Sequence, residues 1–252
     1  MTDLLGAAAR LVNQDGQQWY RAPALSIVPE IVHGLTHSAL GNFSLTTDPD
    51  AEAVHARRRR VLEAAGLGHA RLLAPRLHHS ANVAIVRDGR APEGEHDALI
   101  AADGSTALAV TVADCVPVYF VDVVGGAFGV AHAGWRGLAG GIVKNVVTAM
   151  VDDLAVRTGN LLVGTGPAIR GPSYVVGPEV AARFPETFSV PVGHEGRAQL
   201  DLPSCALAQA AAARVPRDNL IDFSLDTFAR PDDLFSHRRG DRGRHWAFIG
   251  RT

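Results

Sequence analysis

Between Ala107 and Val123 the chain reads ALAVTVADCVPVYFVDV, two β-branched, apolar segments separated around Asp114 and Cys115. Runs of this length and residue type are strands, and this pair limits the possible folds more than any other segment. GAFGVAH, which follows, predicts a third strand ending near His132. From Leu138 to Arg157 the apolar residues Ile142, Val146, Met150 and Leu154 recur at helical spacing, which predicts a crossover helix. Leu161 to Thr165 returns as a strand. Upstream, a helix is expected from Ala51 to Ala65 with Asp48 or Asp50 as its cap, then a short strand from Asn82 to Val86. Downstream, a Gly/Pro-rich loop over Gly166 to Pro178 leads to a short helix near Glu179. An alanine-rich helix from Ser204 to Arg214 and a last strand at Trp246 to Ile249 complete the pattern. Strands mixed with helices define an α/β or α+β protein, and the pattern leaves the strand order open.

Composition narrows the function classes. The 252 residues are 47% hydrophobic and 20% charged, and contain no repeat, low-complexity tract or divisive linker, so one domain is expected. A net charge of -2 gives no global field for a nucleic-acid backbone or an anionic membrane, which leaves small molecules as the expected partners. The most apolar stretch, Ala107 to Val130, is broken by Asp114, Asp122 and a Gly pair, against a membrane span of about 20 residues. The amino terminus has an early Asp3 and no basic stretch leading into an apolar one, so it does not read as a secretory signal. A cytoplasmic protein with two free thiols, Cys115 and Cys205, is the expectation.

Three segments place reactive side chains at strand ends: LHHSANV with His78 and His79, VADCVPV with Asp114 and Cys115, and AHAGWRG with His132 and Arg136. A thiolate and two neutral imidazoles suit Zn²⁺, and three protein ligands leave a fourth position for water or substrate. The separations, 36 residues from His79 to Cys115 and 17 more to His132, match no local zinc-finger signature. The same residues also fit a buried, packing Cys beside hydrogen-bonded histidines, or a Cys-His nucleophilic pair. The Arg57 to Arg60 run reads as a solvated helix face or an anion contact. FSHRRGDRGR, with His237, Arg238, Arg239 and Arg244, reads as a phosphate grip or as a turn held by surface ion pairs. GPAIRGPSYVVG is a loop able to approach a ligand or simply to turn, and Cys205 reads as helix packing.

These segments, in this order from about Gly34 to the end, resemble the laccase-domain family, also described as the YfiH-like or multicopper polyphenol oxidase family. The resemblance implies an α+β fold, a four-layer α/β/β/α sandwich with mixed sheets, in one domain over 1–252 with a variable extension at 1–25. It implies zinc held by His79, Cys115 and His132, with His79 preferred over His78, and copper as the less favoured metal. The implied activity is phosphorolysis of adenosine, inosine and methylthioadenosine, with deamination of adenosine. Purine nucleoside and phosphate are then the partners, and a monomer is favoured. Within that reading Arg136 is the candidate phosphate clamp, and Asp114 a candidate acid, base or structural hydrogen-bonding group. A Cys-His hydrolase or amidase of peptidoglycan-precursor type is the alternative. Multicopper oxidation ranks lower, because none of the eleven histidines forms a His-x-His pair. The chain departs from the family where an Arg-Gly-Gly segment is usual, having His37 near the expected Arg, and it has Asp226 where Cys is common before Thr227.

Overall fold

The computed structural model describes residues 9–252. The amino-terminal stretch that does not read as a secretory signal, and the first part of the expected extension, lie largely outside them. Strands that alternate between two apolar environments build the fold. In Thr106–Val112, Ala107 and Ala109 face one core while Leu108, Val110 and Val112 face another. His245–Arg251 alternates in the same way, with Trp246 and Phe248 on one side and Ala247 and Ile249 on the other. Val116–Asp122 sends Val116, Val118 and Phe120 into a third core and Tyr119 and Val121 back into the shared one. A period of two with both faces apolar requires a layer on each side of each sheet.

The layers follow. Helix Ala51–Ala64 covers a six-stranded sheet ordered Arg10–Gln14, Gln17–Arg21, Ile31–Thr36, His245–Arg251, Thr106–Val112, Arg71–Leu73. That sheet packs on a second, ordered Leu220–Asp222, Leu161–Thr165, Val116–Asp122, Phe128–Ala133, Ala98–Ala101, Val83–Ile85. Helices Ile142–Leu154 and Leu202–Ala212 cover its far face. Both sheets mix parallel and antiparallel pairs, which makes this the expected α/β/β/α sandwich. A small sheet of Val175–Val176, Ala198–Leu200 and Ser189–Pro191 lies to one side. Full burial of side chains such as Phe120, Phe128, Trp246 and Phe248 contributes about 1.5–3 kcal/mol each to the three cores.

Most predicted elements are present, and Asp50 is the cap, its carboxylate accepting from the amide of Ala53 at 2.9 Å. The crossover helix differs. It is two helices, Trp135–Ala139 and Ile142–Leu154, because Gly141 adopts φ +79°, a conformation in which the helix cannot run on. Residues Arg10–Arg21 form a hairpin edging the first sheet, with Trp19 and Tyr20 buried.

Topology gathers five segments at one end of the sandwich. Arg71–Leu73 and Thr106–Val112 run parallel in the first sheet, so both leave it at the same end. Each crosses there to the second sheet, entering Val83–Ile85 and Val116–Asp122. Phe128–Ala133 is antiparallel to Val116–Asp122 and finishes at that end, where Ala98–Ala101 begins. His245–Arg251, antiparallel to Thr106–Val112, starts there too.

A histidine and cysteine cluster at the sheet crossover

His79, Cys115 and His132 meet at this end, with ligand-capable atoms within 4.8 Å of one another. Cys115 lies in the three-residue crossover between sheets, turned by Asp114 at φ +84°. The register Val116↔Ala133 and Pro117↔His132 sets His132 beside it, which is why 17 residues separate two neighbours. His79, at φ +58°, comes from the other crossover loop. His78 turns away and pairs with Glu95 at 3.0 Å. Among the described residues this is the one group of three or more such donors.

Asp97 organises the cluster, and the sequence reading missed it. Its carboxylate, fully buried, accepts from three consecutive amides, His78 at 3.1 Å, His79 at 3.0 Å and Ser80 at 2.8 Å, and from the Ser80 hydroxyl at 2.8 Å. Asp97 Oδ1 also receives His132 Nδ1 at 2.8 Å, which leaves Nε2 of His132 for Cys115 or a metal. One side chain therefore fixes the loop carrying His79 and the ring of His132. The available signal was an Asp placed directly before the apolar run Ala98–Ala101, where a carboxylate needs dedicated partners.

The electrostatics follow from this crowding. Burial pushes the Cys115 thiol up, but His132 and His79 outweigh it and bring it down to about 6. Burial pushes His132 down, while Cys115 and then Asp97 raise it to about 10. Asp97 is raised by burial yet held well below the ordinary carboxylate range by His132 and Ser80. Without a metal, Cys115 and His132 thus each favour the other's charged form. With a cation present, the thiolate and two neutral rings form a soft N₂S set that fits zinc.

Gly134 gives the cluster its room. A Cβ there would lie 3.0 Å from Cys115 Sγ and 3.2 Å from His79 Cδ2. Gly134→Ala is expected to push one of the donors aside, at about 1–3 kcal/mol by overpacking. A chelator titration of the zinc-loaded variant should show weaker metal retention, and wild-type retention would contradict the crowding argument.

The other sequence candidates separate. Asp114 has both oxygens engaged, Oδ1 accepting from Thr227 Oγ1 at 2.6 Å and Oδ2 from the Arg238 amide at 2.7 Å. It ties the crossover to the carboxy-terminal loop. Arg136 is exposed, with its guanidinium 4.3 Å from the Trp135 ring centroid, and does not line the cavity above the cluster. That cavity, about 640 Å³, is lined by His79, Cys115 and His132 together with Arg58, Arg76, His237 and Arg244. Arg238 stacks on Tyr174 at 4.7 Å, and Arg239 is spent on the carbonyls of Thr227 and Phe228, both at 2.9 Å. In the Arg57 to Arg60 run, Arg57 pairs with Asp48, Arg58 is buried, and Arg59 and Arg60 alone are the solvated face. His37 stacks on Tyr20 and contacts Asp233 at 3.4 Å. Asp226 joins two loops by accepting from Ser173 Oγ at 2.6 Å. Cys205 is buried in its helix, a packing residue, as the sequence suggested.

Residues 34–252 match the family model described as multi-copper polyphenol oxidoreductase laccase. The chain belongs to this laccase family. A relative from Deinococcus radiodurans, named purine nucleoside phosphorylase, is 36% identical over 80% of this chain and 78% of its own length. Purine nucleoside phosphorylase YlmD of Geobacillus stearothermophilus is 30% identical over 96% of this chain and 97% of its own. The crystal structure of that YlmD superposes with a TM-score of 0.83, covering 99% of each chain at 29% identity. The laccase of the family description requires several copper centres with histidine-rich ligand sets, whereas the described residues offer this single three-donor cluster. Nor is any helix among them long and apolar enough to cross a membrane.

Proposed function

We propose that this laccase-family chain is a zinc-dependent purine nucleoside phosphorylase acting on adenosine, inosine and methylthioadenosine, with adenosine deamination as a second activity of the same site. The observation that carries the reading is the convergence of His79, Cys115 and His132 on the floor of a cavity large enough for a nucleoside. The names of the Deinococcus and Geobacillus relatives support the substrate class. His79, Cys115 and His132 would hold the metal, and a zinc ion so held supplies a Lewis acid with an open fourth position. The ring of His79, exposed on its outer side, packs edge-on against that of His132 with 4.8 Å between centroids. Asp97 sets the tautomer and orientation of His132. Asp114 holds the carboxy-terminal loop, and with it His237, over the cavity. Phosphorolysis further requires that phosphate be oriented on the anomeric carbon while the departing purine gains a proton. The protein would act on small molecules as a cytoplasmic monomer.

The test is metal analysis of the purified protein, with chromatography of adenosine and inosine incubated with and without phosphate. About one zinc per chain and phosphate-dependent release of free base are expected, and inosine formed from adenosine reports deamination. Zinc without nucleoside turnover would sink the phosphorylase reading.

A second reading draws on one feature of the geometry. Cys115, His132 and Asp97 follow the nucleophile, base and orienter order of a cysteine hydrolase, with Asp97 on His132 Nδ1. That arrangement leaves His79 without a role. Rapid alkylation of Cys115 in the metal-loaded protein would favour the hydrolase, since a thiolate bound to metal resists it.

A further inference from the structure

Arg58 projects from the inner side of helix Ala51–Ala64 and is 6% exposed. Its Nε and Nη2 donate to the carbonyl of Phe43 at 3.2 and 2.6 Å, and its guanidinium lies 5.7 Å from the centroid of Trp246. Among the described residues no carboxylate pairs with it, and its Nη1 donates to none of them. A buried cation in this state lacks the counter-charge that ordinarily accompanies one. Burial lowers it only to about 10, so it stays charged at neutral pH.

Arg244 supplies a second cation from the opposite end of the chain. Its Nη1 is anchored on the carbonyls of Asp241 at 3.0 Å and Gly243 at 2.9 Å, and its Nη2 reaches His237 Nδ1 at 3.3 Å. It too has no carboxylate partner among the described residues. Arg58, Arg244 and the exposed Arg76 all line the cavity that holds the cluster, Ser44 and Thr46 join them, and no Asp or Glu does. In a chain of net charge -2, a cavity with three guanidinium groups and no acid is suited to an anion. Guanidinium forks match the oxygens of phosphate.

We propose that Arg58 and Arg244 form a phosphate subsite in this cavity, apart from the exposed Arg136. The subsite rests on the phosphorylase reading for its role, and it takes phosphate either free, as the attacking reagent, or as the ester group of a nucleoside monophosphate. Helix Ala51–Ala64 then contributes directly to recognition.

Binding of inorganic phosphate to the zinc-loaded protein, followed by calorimetry, tests this for the wild type, Arg58→Lys, Arg58→Gln and Arg244→Gln, with Arg217→Gln as a remote control. Arg58→Gln and Arg244→Gln should each weaken phosphate roughly 10- to 100-fold, the range for a charge-assisted contact, and the control should not. Arg58→Lys keeps the charge and should lie between. Should Arg58→Gln fail to fold, Arg244→Gln and Arg58→Lys carry the measurement. Inorganic phosphate that binds undiminished in the presence of saturating nucleoside, and about as tightly as a nucleoside monophosphate does, identifies free phosphate as the ligand, whereas a nucleoside monophosphate that binds more than roughly 10-fold tighter than inorganic phosphate, an advantage lost in Arg244→Gln, identifies the ester. No saturable binding of either, or unchanged affinity in the folded variants, overturns the subsite. Phosphate-dependent turnover with an unaltered phosphate KM in those variants would remove the subsite and leave the phosphorylase reading standing. Phosphate binding that depends on Arg58 and Arg244 without nucleoside turnover would do the reverse.

Discussion

In the Asp97→Ala protein, stability and zinc affinity are expected to fall together. The substitution leaves three consecutive amides, a hydroxyl and the buried ring of His132 without their acceptor. Removing one partner of such a buried charged network costs about 3–5 kcal/mol. For a chain of this size that is roughly 6–20 °C in Tm, read in zinc-free protein so that metal binding does not mask it. The milder Asp97→Asn keeps one acceptor oxygen but presents an NH₂ group to the donors that met the other. Its zinc affinity is expected to drop by roughly 10- to 100-fold, the usual consequence of losing the partner that orients a metal-binding histidine. Competition with a chelator measures it, and an Asn variant with wild-type affinity would remove Asp97 from its organising role. The pH dependence has the same origin. Asp97 is held below its ordinary value in the folded state, so its contribution is complete above the unfolded value of about 3.9. It is lost as pH falls through and below that value, toward the depressed folded one. Acid unfolding of zinc-free wild type should therefore be steeper below about pH 4 than that of Asp97→Asn.

Cys115→Ala should show the opposite signature, activity lost with the fold intact. The thiolate is half-buried at a crossover and anchors no backbone, and His132 keeps Asp97 when it is gone. The change in stability should stay near about 1 kcal/mol, or about 2–4 °C. Zinc content should fall toward zero and nucleoside turnover by more than the roughly 100-fold associated with an outer partner. Cys115→Ala with full zinc and turnover would show that the cluster is not where the chemistry takes place. The pair of variants distinguishes a residue that builds the site from one that performs in it.

These two residues also differ in how far the sequence reveals them, as do the elements that carry them. Strand pairs such as Thr106–Val112 and Val116–Asp122 were legible because a β-branched, apolar run has few other stable conformations in water. The split of the crossover helix at Gly140 and Gly141 was not, since Leu138 in the first helix keeps a four-residue spacing to Ile142, Val146 and Met150 in the second, across a break that one positive φ creates. The three donors His79, Cys115 and His132 could be named from the resemblance their motifs carry, but motif spacing in the chain says nothing of distance.

By itself, the sequence determined the local elements, the donor types and the absence of any strong global charge, because these depend on side-chain chemistry and on period. The motif already favoured His79 over His78, whereas tertiary structure alone decided that Asp97 serves two loops at once and that Asp114 is occupied in holding another. It also decided that Arg58, the second of four consecutive arginines, is buried with no acid paired to it among the described residues. The physical reason is common to all of these. Each depends on which strands run parallel and where they cross between sheets, and a long-range pairing of that kind leaves no mark at the residue it positions.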